Sequence, residues 1–519
     1  MMITFCNSRK KLWVPVLLLY IIACRKDSPA PAVTDRNNAL LADSIFLYAK
    51  QVYLWNDQLP EQFNTAPYLA ADGSLNYKAE LSAISSIAIN PATGRPYEFN
   101  RLRPSLPKYS AVFGQADKVE TDAGSRMLNI SGRFGISLVA MGEQELRIKY
   151  IVKGSDAALA GMRRGMRILA VNGRPVEISP AYYRYVEKIF NEENRLTLSC
   201  SDGATSRDFS LLYSRTNYFE PVLGDALFEP LPGHKTGYLA YLKFIDVTHA
   251  YRDLDEILTG FSRQGIADII IDLRYNGGGN LAELDKFANL LVPQPAHGKV
   301  MRKERYNALM QSGRASLLQL QPVLDNNGLP FYQNGKLVTY ADIDYTETGN
   351  TVYFNKVSGP GTLKKAIFIV SEETASAAEL LISCLSPYLE THIIGVYAGN
   401  AGTVRTYGKP VGFFPLKTGS LTVYYALFSN VNAQGAGDYY EGMTATVSVY
   451  DDPRYNFGER GEPGLEAALA QIAGKGARRA LPELLQPPVQ WQDVNIHPEK
   501  TGMIKSVFRL KSGAQVTTE

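Results

Sequence analysis

The sequence predicts a multidomain α/β protein, and three observations support this class. The chain has 519 residues, which is long enough for two to four domains. Between about 220 and 472, apolar segments such as residues 266–273 alternate with helical patterns such as residues 281–291, as expected of strands buried between helices. Between about 130 and 215, the pattern instead predicts short strands joined by tight turns. The two regions therefore form different domains.

The composition is that of an ordinary globular protein, with 45% hydrophobic residues, 20% charged residues and a net charge of +3. No basic tract supports nucleic-acid binding, and the five histidines are not at metal-ligand spacing. Neither a metal nor an organic cofactor is expected. Cys200 and Cys384 are too few for a disulfide framework, so both are predicted to be buried apolar side chains. Nothing indicates an oligomeric state.

The N-terminus resembles an export signal. Arg9, Lys10 and Lys11 precede an apolar run over residues 12–22, which is short for a membrane span and typical of a signal-peptide core. The run ends in Ile-Ile-Ala-Cys, which resembles the lipobox of bacterial lipoproteins. This predicts a signal peptide over residues 1–23 and a lipid anchor at Cys24 in the cell envelope, on the periplasmic face or the outer surface of the outer membrane. A plain secretory signal is the alternative.

The domain boundaries follow the changes in pattern. Residues 24–36 are predicted to be a polar tether. Leu41, Ile45 and Val52 recur at helical spacing, and a second helical pattern covers about residues 77–88, so residues 37–125 are predicted to be a helical region. Residues 126–218 then form the β-rich domain and residues 219–475 the α/β core. No structure is assigned to the tail, residues 476–519.

The β-rich domain contains a recurring pattern. Strands are predicted around residues 134–138 and 146–152, followed by a hairpin that turns on Asn172 and Gly173. The string Ser-x-Ala-x-x-Ala-Gly-Met, continued to Val-Asn-Gly, resembles a PDZ domain. That resemblance implies peptide capture by strand addition, with the peptide carboxylate received by one turn. The turn consists of Arg133, Phe134 and Gly135. A packing module without a ligand is the alternative.

Ser376 is a candidate nucleophile. It follows a buried apolar strand and precedes a helix, so free N–H groups and the positive end of the helix dipole favour a developing negative charge beside it. The N–H of Ala377 could face a substrate carbonyl oxygen. A serine here is also a common helix cap, and the local pattern leaves both interpretations open.

A glycine-rich turn is the second candidate element. Residues 272–279 form Asp-Leu-Arg-Tyr-Asn-Gly-Gly-Gly after a buried strand, which lets main chain approach a ligand closely and exposes N–H donors. A phosphate-binding loop would end in Gly-Lys-Ser/Thr, and the spacing does not match a dinucleotide fingerprint. Donors for an oxyanion fit better.

Lys409 is the candidate base. It lies between glycines and beside apolar residues, where burial would lower its pKa from ~10.4 toward neutrality. A solvated loop charge is the alternative. His392 lies in a strand-like run without a supporting context.

Together these segments resemble the C-terminal processing (tail-specific) peptidases of family S41, roughly over residues 40–470. The motifs are Asp-Leu-Arg-x-Asn-x-Gly-Gly, Thr-Ala-Ser-Ala-x-Glu and Thr-Tyr-Gly-Lys, and residues 432–442 are similar to versions from Bacteroidetes-type bacteria. The resemblance implies a crotonase/ClpP-like α/β core and a Ser-Lys dyad that cleaves protein or peptide substrates, such as C-terminal tails. It assigns Ser376 as nucleophile, Lys409 as base, and the N–H groups of Gly278 and Ala377 as the oxyanion hole, with Gly277 as an alternative donor.

Two departures from the family pattern concern Lys409. Ser376 and Lys409 are 33 positions apart, and a glycine-rich insertion over residues 396–405 lies between them. Either this insertion bulges outward and leaves Lys409 in place, which the intact Thr-Tyr-Gly-Lys-Pro-Val-Gly string favours, or Ala401 takes the aligned position and the base is missing. Phe413 stands where some members carry a polar residue that steadies the lysine. The rival functions are an inactive peptide-binding lipoprotein and a crotonase-like acyl transferase, for which no coenzyme A pocket is evident.

Overall fold

A computed structural model describes twelve stretches of the chain: residues 33–101, 103–114, 133–142, 145–213, 220–245, 248–325, 328–399, 401–474, 491–493, 503–505, 508–511 and 515–516. The predicted signal peptide, Cys24 and most of the tether lie outside the described residues. Within these stretches no helix is long and apolar enough to cross a membrane, and no group of side chains could hold a metal ion. Cys200 and Cys384 are free and buried, as predicted.

The N-terminal region contains both predicted helices. They span Val33–Val52, which begins inside the predicted tether, and Tyr77–Ser85, whose cap Asn76 accepts the N–H of Ala79. Three short strands accompany them, so the region is not purely helical. The strands are β1 (Ile89–Asn90), β2 (Arg95–Pro96) and β3 (Ala111–Phe113).

The second domain is an antiparallel sheet with two helices. Its hairpin turns on Asn172 and Gly173, at φ 47° and 76°, as a two-residue turn of this hand requires. The strands are β4 (Ile136–Met141), β5 (Glu145–Ile151), β6 (Arg167–Val171), β7 (Arg174–Pro175), β8 (Arg195–Ser201) and β9 (Ser206–Leu212). The helices are Asp156–Leu159 and Pro180–Glu192. The second helix was not predicted, although Ser179 as cap and Pro180 in the first turn are its start signals.

The core domain carries the remaining strands up to residue 450. They are β10 (Val222–Leu231), β11 (His234–Tyr241), β12 (Asp268–Asp272), β13 (Val300–Tyr306), β14 (Tyr332–Gln333), β15 (Lys336–Leu337), β16 (Thr351–Tyr353), β17 (Lys365–Val370), β18 (Glu390–Tyr397), β19 (Val411–Phe413), β20 (Pro415–Thr418), β21 (Leu421–Tyr424), β22 (Phe428–Asn432) and β23 (Val447–Tyr450). The helices are Thr248–Arg263, Leu281–Leu291, Ala308–Gln311, Ala377–Leu385 and Pro463–Ile472.

The main sheet has the order β10-β11-β12-β17-β18-β23 and is parallel from β11 onward. Every residue of β12 is buried. Ile269 and Ile271 pack with the helices Leu281–Leu291 and Ala377–Leu385, whereas Ile270 packs with the helix Pro463–Ile472 on the other face. The predicted α/β core with a doubly covered sheet is confirmed.

The C-terminal tail, unassigned from sequence, adds strands to sheets of both domains. Its strands are β24 (Trp491–Asp493), β25 (Met503–Lys505), β26 (Phe508–Arg509) and β27 (Gln515–Val516). β24 pairs with β4 of the second domain, and β25 pairs with β19 in a second core sheet of order β16-β13-β22-β19-β25. The tail therefore reaches both the β-rich domain and the strand that follows Lys409.

Candidate active site

Ser376 lies at the strand-to-helix turn between β17 and the helix Ala377–Leu385. Its backbone has φ 58° and ψ −119°, outside the regions that a residue with a Cβ ordinarily adopts. The other non-glycine residues with positive φ in the described stretches are Asn172 and Asn334. Such strain persists only where the surroundings hold it, and it is concentrated at functional sites. Ser376 therefore stands on a sharp, strained turn at a helix N-terminus, a geometry that suits a nucleophile.

The glycine turn lies directly against this serine. A Cβ at Gly278 would fall 2.5 Å from the Cβ of Ser376 and 3.0 Å from the N of Ala377, and Gly278 has φ 101°. Only glycine fits here, so the structure brings the three predicted residues together. The N–H of Gly278 donates to Asn276 Oδ1 at 2.8 Å. The Gly278 N–H would have to break its bond to Asn276 before it could donate to an oxyanion. Gly277, the alternative donor, is partly exposed in the same turn.

The arginine of the same motif is structural. Arg274 is buried and pairs with Asp272 at 2.7 Å, Asp451 at 2.8 Å and Glu462 at 2.7 Å. Arg164 of the second domain joins this cluster at 2.9 Å from Asp451. The cluster fixes the strand end from which the glycine turn departs and joins it to the second domain.

Lys409 is buried, with 2% of its side chain exposed. Its Nζ lies 3.4 Å from Asp438 Oδ1 and 4.9 Å from the ring centroid of Tyr440. Burial lowers the pKa of Lys409 to about 8, and the negative charge of Asp438 opposes that shift. The lowered pKa of Lys409 favours its neutral form, which is the form that a general base requires.

The glycine-rich insertion reaches the surface before Lys409. Residues 401–403 are exposed, and the chain returns at the buried Val404, whose N–H donates to Ser448 Oγ at 3.0 Å. A Cβ at Gly395 would meet Val404 at 2.4 Å, so the two ends of the detour are in contact. Ala401 is thus exposed while Lys409 is buried, an arrangement that matches the outward bulge.

Glu379 connects Ser376 to residues 406–409, the lysine segment. Its Oε2 accepts the N–H of Ser376 at 3.0 Å, and its Oε1 accepts the N–H of Gly408 at 2.8 Å and the hydroxyl of Thr406. Burial raises the pKa of Glu379 to about 8. Sequence reasoning assigned no role to this residue. Its signal was an isolated acidic residue three positions after Ser376 in an otherwise apolar helix, as in a capping box.

Two side chains of the N-terminal region donate hydrogen bonds to the backbone around Lys409. Lys108 Nζ donates to the carbonyl oxygens of Tyr407 at 2.9 Å and Tyr440 at 2.6 Å. Tyr109 donates its hydroxyl to the carbonyl oxygen of Lys409 at 2.8 Å. Burial lowers the pKa of Lys108 to about 8. These contacts position the backbone around Lys409. Sequence reasoning missed Lys108 and Tyr109 because they lie about 300 positions away.

Phe413 offers Lys409 no polar partner. Its ring packs edge-on against Tyr424, with centroids 5.4 Å apart. The segment around Lys409 is held instead by the side chains of Glu379, Lys108 and Tyr109 and by a main-chain bond from the Tyr407 N–H to the carbonyl of Thr374 at 2.9 Å.

The predicted peptide-binding turn lies in the second domain. Phe134 is fully buried and packs on Phe190, and the guanidinium of Arg133 donates to the carbonyl of Glu192 at 3.0 Å. A Cβ at Gly135, which has φ 74°, would fall 2.3 Å from Ser155 Cβ. These residues shape the turn that leads into β4.

The comparisons with known proteins agree with this geometry. Residues 235–417 match the model of peptidase family S41, a span that includes Ser376, Lys409 and the glycine turn. This chain carries a peptidase S41 domain. This chain is also similar to a protein described as a probable CtpA-like serine protease of Staphylococcus aureus (strain COL). The two are 25% identical over 305 residues, 59% of this chain and 50% of that protein.

The chain therefore spans about half the length of the curated relatives it matches. An S41 protease structure from Bacteroides fragilis NCTC 9343 has a similar fold, with a TM-score of 0.53 and 20% identity over 84% of this chain and 97% of that one. The family match and the similar structure support a multidomain mixed α/β architecture around the S41 domain.

Proposed function

We propose that this protein is a serine endopeptidase of the C-terminal processing type, with Ser376 as nucleophile and Lys409 as general base. The observation that carries the proposal is the Glu379 carboxyl group, which binds the N–H of the strained Ser376 and the N–H of Gly408, next to the buried Lys409. One carboxyl group thereby holds the two segments at a common site.

In the proposed mechanism, neutral Lys409 takes the proton from Ser376 Oγ as that oxygen attacks the peptide carbonyl carbon. The N–H of Ala377, at the first position of its helix, receives the oxyanion, joined by the N–H of Gly278 once it leaves Asn276. Protonated Lys409 then gives its proton to the leaving amine. Water then attacks the acyl-enzyme, Lys409 accepts a proton from that water, and it returns the proton to Ser376 Oγ as the acyl group leaves as a carboxylic acid.

The proposal extends to substrate and location. The second domain would act as a PDZ-like module that captures an extended tail beside the turn of Arg133, Phe134 and Gly135. A lipid anchor at Cys24 would hold the enzyme in the cell envelope, where exported proteins are its substrates. Mass spectrometry of the mature N-terminus tests the anchor, because lipidation adds a defined mass to Cys24.

The test of catalysis compares the full chain with Ser376→Ala and Lys409→Met on an unfolded protein with an apolar C-terminus. We expect cleavage by the parent chain and a loss of about 10³-fold or more in kcat/KM in each variant. Matched controls are Ser386→Ala, at the other end of the same helix, and Lys417→Met, an exposed lysine on β20. Equal cleavage by all chains overturns the assignment. Tail binding without cleavage by any chain supports the inactive peptide-binding alternative.

A further inference from the structure

The second domain already carries a strand from a distant part of the chain. β24 pairs antiparallel with β4, with Trp491 opposite Met141, Gln492 opposite Ala140 and Asp493 opposite Val139. In the sheet order β24-β4-β5-β6-β8-β9, β4 would be an edge strand without β24. An edge strand presents unpaired N–H and C=O groups that accept another extended chain.

The position and direction of β24 are those of a bound peptide. On its inward face, β4 places Leu138 and Ala140 in one core with Val186 and Ile189 of the helix Pro180–Glu192, so β24 lies along the strand that this helix covers. From Trp491 to Asp493, β24 runs from Met141 toward Val139. It therefore points toward the turn of residues 133–135 that precedes β4. A chain added with this polarity directs its C-terminal end at that turn, as strand-addition ligands do.

We propose that Trp491–Asp493 is an internal ligand of the β4 edge, and that an extended peptide binds the second domain by displacing it. The inference deepens the peptide capture included in the proposed function. It names the partner of the β4 edge as an extended chain in antiparallel register and names the segment that competes with it.

Tethering makes such a competitor effective without strong contacts. A segment linked to its site has an effective concentration of about 1 mM, so even a strand that binds with a Kd of about 100 μM occupies the edge about nine-tenths of the time. An incoming peptide then binds about tenfold more weakly than it would to a vacant edge. A substrate tail that binds the β4 edge more tightly displaces the segment.

A reversible lock tests the inference. Ala140→Cys with Gln492→Cys places two thiols on directly opposite residues of an antiparallel pair, within the range that a disulfide spans. Cys200 and Cys384 are buried and do not compete for it. The probe is a fluorescent peptide with the sequence of residues 488–496, and its anisotropy is measured with the full chain carrying Ser376→Ala. We expect binding at least tenfold weaker in the oxidised chain and its recovery on reduction. Equal Kd values in the two states overturn the inference.

A second pair of variants removes the segment instead of locking it. Consecutive strand residues direct their N–H groups to opposite sides, so one of residues 492 and 493 donates to β4. Gln492→Pro with Asp493→Pro removes that donor whichever of the two residues supplies it. Gln492→Ala with Asp493→Ala keeps both N–H groups and is the matched control. We expect the proline variant to bind the peptide about tenfold more tightly than the control and to exchange the amides of β4 faster until peptide is added. Identical affinity and exchange in both variants contradict the inference.

Both experiments use a chain without the Ser376 hydroxyl, so their outcome does not depend on catalysis. If the parent chain fails to cleave any substrate, the proposed function falls and the binding result stands by itself.

Discussion

Lys409 Nζ lies 3.4 Å from Asp438 Oδ1, and the two groups differ greatly in environment. The lysine side chain is 2% exposed and that of the aspartate 90% exposed. Burial lowers the pKa of Lys409 to about 8, while the Asp438 charge favours the protonated lysine. The proposed mechanism requires a neutral Lys409, so it predicts that the pH dependence of activity reports directly on this pair.

The first prediction concerns Asp438→Asn. Removing the negative charge lowers the pKa of Lys409 further, so the acidic limb of the kcat/KM profile, centred near pH 8 in the parent, moves to lower pH. Solvent screens this exposed partner, so the gain in kcat/KM at pH 7 is at most about threefold. The control is Asp225→Asn on β10, which should leave the limb in place. A shift of the limb to higher pH in Asp438→Asn contradicts the assignment of Lys409 as base.

The second prediction concerns Lys108→Met. The variant loses the two hydrogen bonds to the carbonyls of Tyr407 and Tyr440, which leaves these partly buried acceptors without that donor. We expect a stability loss of about 1–3 kcal/mol and a kcat at least about tenfold lower, because the segment that carries Lys409 loses its support. Thermal unfolding and steady-state kinetics measure the two effects. Lys188→Met, an exposed lysine of the second domain, should change neither. Unchanged kcat in Lys108→Met would show that the main-chain bonds suffice.

The third prediction compares two neighbouring arginines. Arg164 is 3% exposed and pairs with the buried Asp451, whereas Arg163 is 57% exposed and lies 3.5 Å from Asp202. Arg164→Ala leaves a buried charge with fewer partners and should destabilise by about 3–5 kcal/mol. Arg163→Ala should change stability by at most about 1 kcal/mol. Urea unfolding of both variants measures the difference, and similar unfolding midpoints would refute the role of the cluster as the link between the domains.

The fourth prediction concerns the buried Glu80 in the helix Tyr77–Ser85. Neither of its carboxylate oxygens has a hydrogen-bond partner among the described residues, and burial raises its pKa from 4.5 to about 8. Between these values the unfolded chain loses the proton and the folded chain keeps it. Its contribution to stability is therefore complete below pH 4.5 and falls by up to about 1.4 kcal/mol per pH unit until about pH 8.

Glu80→Gln should remove this slope and leave the variant more stable than the parent at pH 8. Urea unfolding from pH 5 to 8 measures it, with Glu61→Gln, whose side chain is 94% exposed, as the control. Parallel pH profiles for parent and Glu80→Gln would mean that Glu80 is ionised in the folded protein.

The elements that the sequence predicts well are those with a local cause. The apolar run that becomes β12, the helix Leu281–Leu291 and the turn at Asn172 each follow from residues within the element. The position of Ser376 at a helix N-terminus is of the same kind.

The contacts that hold the site have no local signal. Lys108 reaches Tyr407 across 299 positions, and the strain at Ser376 is a property of the assembled turn. The strands of the tail are two or three residues long and form because a sheet edge is available to them. Such elements depend on tertiary pairing, so neither propensity nor periodicity reveals them.

The pairing of β25 with β19 sets an order of events during biosynthesis. Val411 and Met503 are register partners, yet the ribosome makes Met503 long after Val411. Until that later stretch emerges, the sheet that contains β19, the strand that begins two residues after Lys409, lacks its last strand. Ser376 and Lys409 are therefore synthesised before the sheet beside them is complete, so its last strand joins only after both candidate residues have left the ribosome.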